Sequence, residues 1–163
     1  MDEIIIKKME TDSEIRGKGY VHYKSWQETY RGMMDDGYLD RVTEEKCIEM
    51  AYRWQDNIII AKDGDNVVGF VAYGPFRERE IKGLGEIYAL YVLKSHMGMG
   101  LGKRLLDAAI EKLAAFDRII VEVVSQNSHA RGFYEHYGFT FDGKERSLTF
   151  GTPTSIAEYQ LHL

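Results

Sequence analysis

Between Leu90 and Leu106 the chain reads LYVLKSHMGMGLGKRLL, a β-rich run giving way to three alternate glycines and then to an amphipathic helical pattern. This transition constrains the fold more than any other stretch. A strand must end there and a helix begin, and the turn must place Gly98, Gly100 and Gly102 in succession. Without Cβ atoms such a turn can take unusual dihedrals and let a ligand approach the main chain. Unpaired N–H groups at a helix start, reinforced by the helix dipole, suit a phosphate. Two common phosphate motifs fail on spacing. A P-loop ending at Lys103 needs glycine at 97 and Ser or Thr at 104, where Met97 and Arg104 stand. A dinucleotide fingerprint from Gly98 needs glycine where Lys103 stands.

The flanking pattern places this turn inside a mixed fold. Residues 4–9 read as a first strand, and Thr11 with Glu14 as a capping box opening a helix. Gly17 and Gly19 are expected to interrupt that helix, which resumes with Tyr23, Trp26 and Tyr30 on one face. A second helix is expected after Thr43, with Glu44 and Glu45 at its positive end and Cys47, Met50, Ala51 and Trp54 as its apolar stripe. Residues 57–62 and 67–76 flank Asp63-Gly64-Asp65-Asn66 as a hairpin, and 86–93 form the strand before the glycines.

The following helix is expected over 101–116, burying Leu105, Leu106, Ala109, Ile110 and Leu113. Arg118–Val124 reads as a strand covered on both faces, Ser128–Tyr137 as a helix closed by Gly138, and 140–144 and 158–163 as two closing strands. This order predicts an α/β (α+β) chain in which helices flank a mixed, mostly antiparallel twisted sheet.

Composition excludes several classes. The net charge of -5 comes without a basic stripe, which argues against nucleic acid. No apolar run approaches the roughly 20 residues of a membrane span, and Asp2-Glu3 ahead of Ile4-Ile5-Ile6 is unlike a signal peptide. One cysteine, Cys47, forms no intramolecular disulfide or thiol metal site, and it reads as core rather than nucleophile. His22, His96, His129, His136 and His162 lack metal-ligand spacing, so no metal is expected. These features point to the cytoplasm.

The glycine segment resembles the acetyl-CoA turn of the GNAT superfamily of N-acetyltransferases, written Gln/Arg-x-x-Gly-x-Gly/Ala. Gly100 and Gly102 hold its glycine positions, while Met97 departs from the usual Gln or Arg. Downstream, Val121-Glu122-Val123-Val124-Ser125-Gln126-Asn127 and Tyr134-Glu135-His136-Tyr137-Gly138-Phe139 are similar to the family's next strand and its Asn…Tyr-x-x-x-Gly-Phe segment. The likeness is good from about Asn57 to Phe139 and looser over the first two helices. It implies one acyl-CoA N-acyltransferase domain over residues 1–163. It also implies direct acetyl transfer from acetyl-CoA to an amine, without a covalent acyl-enzyme.

Such chemistry needs a neutral amine, donors for a developing oxyanion and a proton for the departing thiolate. The resemblance assigns the pyrophosphate to Gly98, Met99, Gly100, Leu101, Gly102 and Lys103, and the pantetheine arm to the main chain of Leu90, Tyr91 and Val92. It matches Tyr134 to the phenol that protonates sulfur and Asn127 to a pantetheine contact. As packing residues, Tyr134 would be sheet core and Asn127 a helix cap. Two carboxylates compete as general base: Glu86, fourteen residues before Gly100, is ranked first, and Glu122 second.

The acceptor end is expected in the first two helices, with Trp26 and Tyr30 as its substrate-binding residues. Trp26…Tyr30-Arg31-Gly32 followed by Tyr38-Leu39 is similar to a bacterial branch of the family that includes polyamine acetyltransferases. Aromatic faces with Asp35 and Asp36 would suit a small cationic amine. Helix-core packing and a solvated turn explain the same residues. A protein or peptide N-terminus as acceptor, and a non-catalytic CoA-binding sensor, remain alternatives. The expected partner is a small-molecule amine rather than nucleic acid or membrane, and a homodimer stays open.

Overall fold

The computed structural model describes residues 3–78 and 81–163. The opening apolar run forms β1 (Ile4–Lys8), and Thr11 and Glu14 close a complete capping box on α1 (Asp12–Tyr30). The Glu14 carboxylate also takes hydrogen bonds from Lys7 (2.7 Å) and Lys62 (3.1 Å), so this helix start is tied to the sheet.

Contrary to expectation, Gly17 and Gly19 do not interrupt α1. A Cβ at Gly17 would lie 2.6 Å from Val67 Cγ2, and one at Gly19 would lie 2.6 Å from Ile48 Cα. The glycines are contact points for neighbouring elements, and that close packing outweighs their weak helix propensity.

Two short helices follow: α2 (Asp36–Arg41), capped by Asp35 and absent from the sequence reading, and α3 (Glu44–Arg53), capped by Thr43. On α3 the expected stripe is half right. Cys47 and Ala51 are buried, but Met50 and Trp54 are 44% and 65% exposed, because Ile48 meets α1 at Gly19 and turns those two side chains outward.

The remaining elements are β2 (Ile58–Asp63), β3 (Asn66–Pro75), β4 (Leu84–Val92), α4 (Leu101–Lys112), β5 (Arg118–Val124), α5 (Ser128–Tyr137), β6 (Thr140–Phe150) and β7 (Thr152–His162). The helix α4 stops at Lys112 rather than 116; the chain turns there, and Phe116 packs beside Gly85. The closing strands run much further than 140–144 and 158–163. Most of β6 is exposed at the sheet margin, where an apolar pattern is not needed to hold it.

Among the described residues seven strands form one sheet in the order β1-β2-β3-β4-β5-β7-β6, in which only the β4–β5 pair is parallel. The first core joins the sheet to α4 and α5 through residues such as Leu105, Leu106 and Phe139. A second joins it to α1 and α3 through Val21, Ala51 and Phe70. A third, containing Tyr30, Leu39, Val124 and Ile156, seats the α1–α2 corner against β5 and β7. No helix among the described residues is long and apolar enough to cross a membrane.

Candidate active site

The two parallel strands at the centre of the sheet part company. They pair only over Leu84–Ile87 and Arg118–Val121, after which β4 stays with β3 and β5 stays with β7. A bulge sharpens the divergence: Ala72 faces Ala89 while Tyr73 faces Ile87, leaving Tyr88 as the extra residue. Beyond it the Leu93 N–H bonds the Val68 carbonyl, so strand alternation turns the peptide groups of Leu90 and Val92 toward the gap. Leu90, Tyr91 and Val92, expected as one main-chain segment of the site, therefore line an open sheet edge inside the molecule.

The gap is a cleft of about 350 Å³. At its mouth lies the glycine turn, whose three glycines serve two purposes. Gly98 and Gly100 have φ of 80° and 78°, and a Cβ on either would meet nothing within 4 Å. Gly102 has ordinary helical φ, but its Cβ would press Phe133 at 3.2 Å, so it sets the spacing of α4 and α5. With Gly100 as N-cap, no side chain caps α4. Met99, Gly100, Leu101, Gly102 and Lys103 thus surround an uncapped helix start with open space before it, a geometry that fits a pyrophosphate.

Tyr134 lies on the cleft wall, 6% exposed, with its ring edge-on to Phe133 and Phe139 at 5.2 and 5.4 Å. A phenol carries its proton at neutral pH, and burial, then the nearby Tyr91, push that of Tyr134 further above the ordinary range. Asn127 lines the cleft and caps α5 at once, its Oδ1 accepting from the Ala130 N–H at 3.1 Å.

The two carboxylates occupy different places. Glu86 is 2% exposed and does not line the cleft; its oxygens accept from the Arg77 N–H at 3.0 Å and the Arg77 guanidinium at 3.2 Å. Glu122 does line the cleft, accepting two hydrogen bonds of 2.6 Å from Arg146, which also pairs with Glu78.

Of the aromatic pair on α1, Tyr30 reaches the cleft while Trp26 stands behind it, edge-on at 5.0 Å. The Tyr30 and Tyr91 hydroxyls are 3.1 Å apart. The tip of the β6–β7 hairpin packs behind this pair, with Phe150 5.9 Å from the Trp26 ring and 5.6 Å from that of Tyr38. Asp35 is spent on capping α2, and Asp36 pairs with Arg31.

Sequence reasoning missed Glu28, Tyr88 and His129, which all line the cleft. Glu28 lies two residues before Tyr30, and its Oε1 accepts from the Lys94 N–H at 3.3 Å. Helical spacing from Trp26 and Tyr30 does not suggest Glu28, which lies two residues from each and so on another face of α1. Tyr88 owes its place to the bulge, which leaves no mark in the sequence.

Residues 22–139 match the acetyltransferase (GNAT) family model. A probable N-acetyltransferase of Mycobacterium tuberculosis is 32% identical over 130 residues, 76% of this chain and 73% of that protein. A spermine/spermidine N(1)-acetyltransferase of Bacillus subtilis is 35% identical over 88 residues, 50% of this chain and 57% of that protein. Among solved structures, the PaiA N-acetyltransferase from Thermoplasma acidophilum in complex with coenzyme A superposes with a TM-score of 0.74 at 21% identity, covering 99% of each chain.

Proposed function

The chain belongs to the acetyltransferase (GNAT) family and is an acetyl-CoA-dependent N-acetyltransferase, and from that premise we propose that its acceptor is a small cationic amine. The observation that carries the reading is the β4–β5 gap, with an uncapped glycine turn at its mouth and a protonated phenol on its wall. Bound acetyl-CoA supplies an acetyl group activated as a thioester. Residues 98–103 hold its pyrophosphate through main-chain N–H groups, with Lys103 adding charge at the helix start. On the segment Leu90–Val92, the residues Leu90 and Val92 offer free peptide groups to the pantetheine arm and a donor to the carbonyl oxygen, while Tyr91 between them stays bonded to β3. Asn127 adds an amide beside them, and the Tyr134 hydroxyl gives its proton to the departing sulfur.

An ammonium must shed a proton before it can attack. Ranking by sequence position put Glu86 first; access to the cleft favours Glu122, which we assign as the base acting through water. Glu122→Gln is expected to lower kcat/KM most at neutral pH and to recover toward alkaline pH, where free amine is abundant. Glu86→Gln should cost stability instead, by breaking the Arg77 contacts. The pH profiles of both variants on one accepted amine check this. Rescue confined to the Glu86 variant reverses the assignment, and rescue in neither leaves that proton to solvent.

Two features support a small cation as acceptor. Glu28 brings negative charge to the cleft wall that Tyr30 also lines. One relative, over half of this chain, acts on spermine and spermidine by its name. A thiol-release screen with acetyl-CoA across polyamines, aminoglycosides, amino acids and peptides is the test. Turnover of a polyamine or similar diamine is expected. Turnover of peptides alone would overturn the acceptor assignment, and no turnover on any amine would favour a CoA-binding sensor.

A further inference from the structure

Three charges from three separate parts of the chain meet beside the cleft. Glu122 on β5 accepts two hydrogen bonds of 2.6 Å from Arg146 on β6, and the same guanidinium pairs with Glu78 in the β3–β4 connection. Of the three, Glu122 lines the cleft; Arg146 and Glu78 stand outside it, 43% and 49% exposed. Glu78 is held in place through its neighbour. The Arg77 N–H and guanidinium both bond the buried Glu86, and that guanidinium lies 4.3 Å from the centre of the Tyr88 ring. The connection thus fixes a second carboxylate against Arg146.

Such an arrangement bears directly on how Glu122 can act as a base. A guanidinium that grips both oxygens favours the charged carboxylate, and a proton added to either oxygen breaks up the pair. With no other partner, Arg146 would become an unpaired cation each time Glu122 took a proton. Glu78 prevents this. The three groups sum to one negative charge, so one ammonium in the cleft makes the set neutral. After proton transfer the amine and Glu122 are both uncharged, and Arg146 is left paired with Glu78. No step strands a charge. Ion pairs this exposed contribute little to stability, so moving the guanidinium from one carboxylate to the other costs little.

We propose that Arg146 is a sliding counterion shared by Glu122 and Glu78, and that Glu78, by receiving the guanidinium, lets Glu122 take a proton from a cationic acceptor. An N–H bond of the ammonium breaks and, through water, an O–H bond forms on Glu122. The proton then leaves to solvent, and Arg146 returns to both oxygens. Arg146 and Glu78 are positioning residues that act through Glu122. The proposal rests on the assignment of Glu122 as the base. It also makes the pair selective, because an amine that arrives uncharged needs neither residue.

The test measures pH profiles of kcat/KM in the full chain with an accepted diamine such as 1,4-diaminobutane. Glu78→Gln is expected to lower kcat/KM by about tenfold at neutral pH, the scale of one hydrogen bond to a charged group. The loss should fade toward alkaline pH, where free amine is abundant. Thermal melts and calorimetry with acetyl-CoA should give Tm and Kd near wild type, since Glu78 is exposed and lies outside the cleft. In an Arg146→Met background there is no counterion to receive, so adding Glu78→Gln should change kcat/KM by less than about twofold. Other ionisable groups face this place. Glu158 stands opposite Glu122 on β7, with Asp142 and Lys144 of β6 beside it. Burial, then a hydrogen bond with Asp142, push the Glu158 carboxyl up to about 7. The profiles are therefore repeated in a Glu158→Gln background, where the alkaline recovery is expected to persist.

If Glu122→Gln recovers at alkaline pH while Glu78→Gln matches wild type throughout, the counterion role is wrong and the base stands. A loss in Glu78→Gln that is equal at every pH would make the residue structural. A loss of the same size with and without Arg146 would mean that Glu78 acts elsewhere. Either result overturns the proposal, as does a recovery that vanishes with Glu158→Gln. If Glu122→Gln shows no recovery, the base assignment falls first and the counterion role with it.

Discussion

Replacing Tyr134 with phenylalanine is expected to leave the fold and acetyl-CoA affinity intact and to lower kcat by about a hundredfold, a typical general-acid contribution. The ring contacts with Phe133 and Phe139 need no hydroxyl, so the core that holds α5 against the sheet should survive. What disappears is the hydroxyl proton of a phenol that burial, and then Tyr91, make less acidic than usual, on the wall of the gap between the diverging strands. The loss should shrink when the acyl donor carries a less basic thiol, since a better leaving group depends less on an acid. Steady-state kinetics with acetyl-CoA and with such a thioester measure both effects. A variant that matches wild type with either donor would make Tyr134 a packing residue, and protonation of sulfur would then fall to solvent.

How far the sequence foretold this site depends on whether local rules or pairing decided each part. The glycine turn was legible because steric freedom and a helix start are properties of neighbouring residues. Arg118–Val124 and Ser128–Tyr137 were legible to the residue, since an unbroken β-branched run and a helix between Asn127 and Gly138 need no tertiary context. The place of Leu90, Tyr91 and Val92 in the site was inferred only through family likeness. Composition cannot say that two strands pair for four residues and then separate, or that Tyr88 bulges out of register.

The carboxylates teach the same lesson. Glu86 and Glu122 look alike in sequence, each a single acid among apolar residues. One is enclosed by Arg77, brought by the β3–β4 connection, and the other is drawn to the cleft wall beside Arg146 from the distant β6. Gly17 and Gly19 misled for a related reason. Helix propensity describes a helix in water, whereas α1 is pressed against Val67 and Ile48, where the absence of a side chain is what permits contact. The outer β6–β7 hairpin was under-read because exposed polar residues on an edge strand carry no apolar period, even though Phe150 at its tip packs on Trp26.

Gly100→Val is expected to weaken acetyl-CoA binding by about ten- to a thousandfold. Losing one or two charge-assisted hydrogen bonds of about 1.5–3 kcal/mol each accounts for that span at about 1.4 kcal/mol per tenfold. Two causes act together and can be separated. At φ 78° a branched side chain is strained by about 1–2 kcal/mol, which lowers stability whether or not ligand is present. Its methyl groups would also enter space that no protein atom occupies within 4 Å, the space proposed for the pyrophosphate. Gly100→Asn isolates the second cause, because asparagine tolerates left-handed backbone yet still places a side chain in the cradle. It should lose affinity by about tenfold or more, the cost of a single such bond, with a smaller fall in Tm than the valine variant. Gly102→Ala is the counterpart in which the new methyl presses Phe133 instead, so it should shift Tm more than Kd. Calorimetry and thermal melts on the three proteins give both quantities. Near-native affinity in both Gly100 variants would remove the phosphate cradle from the turn, leaving Gly98 and Gly100 as shape alone.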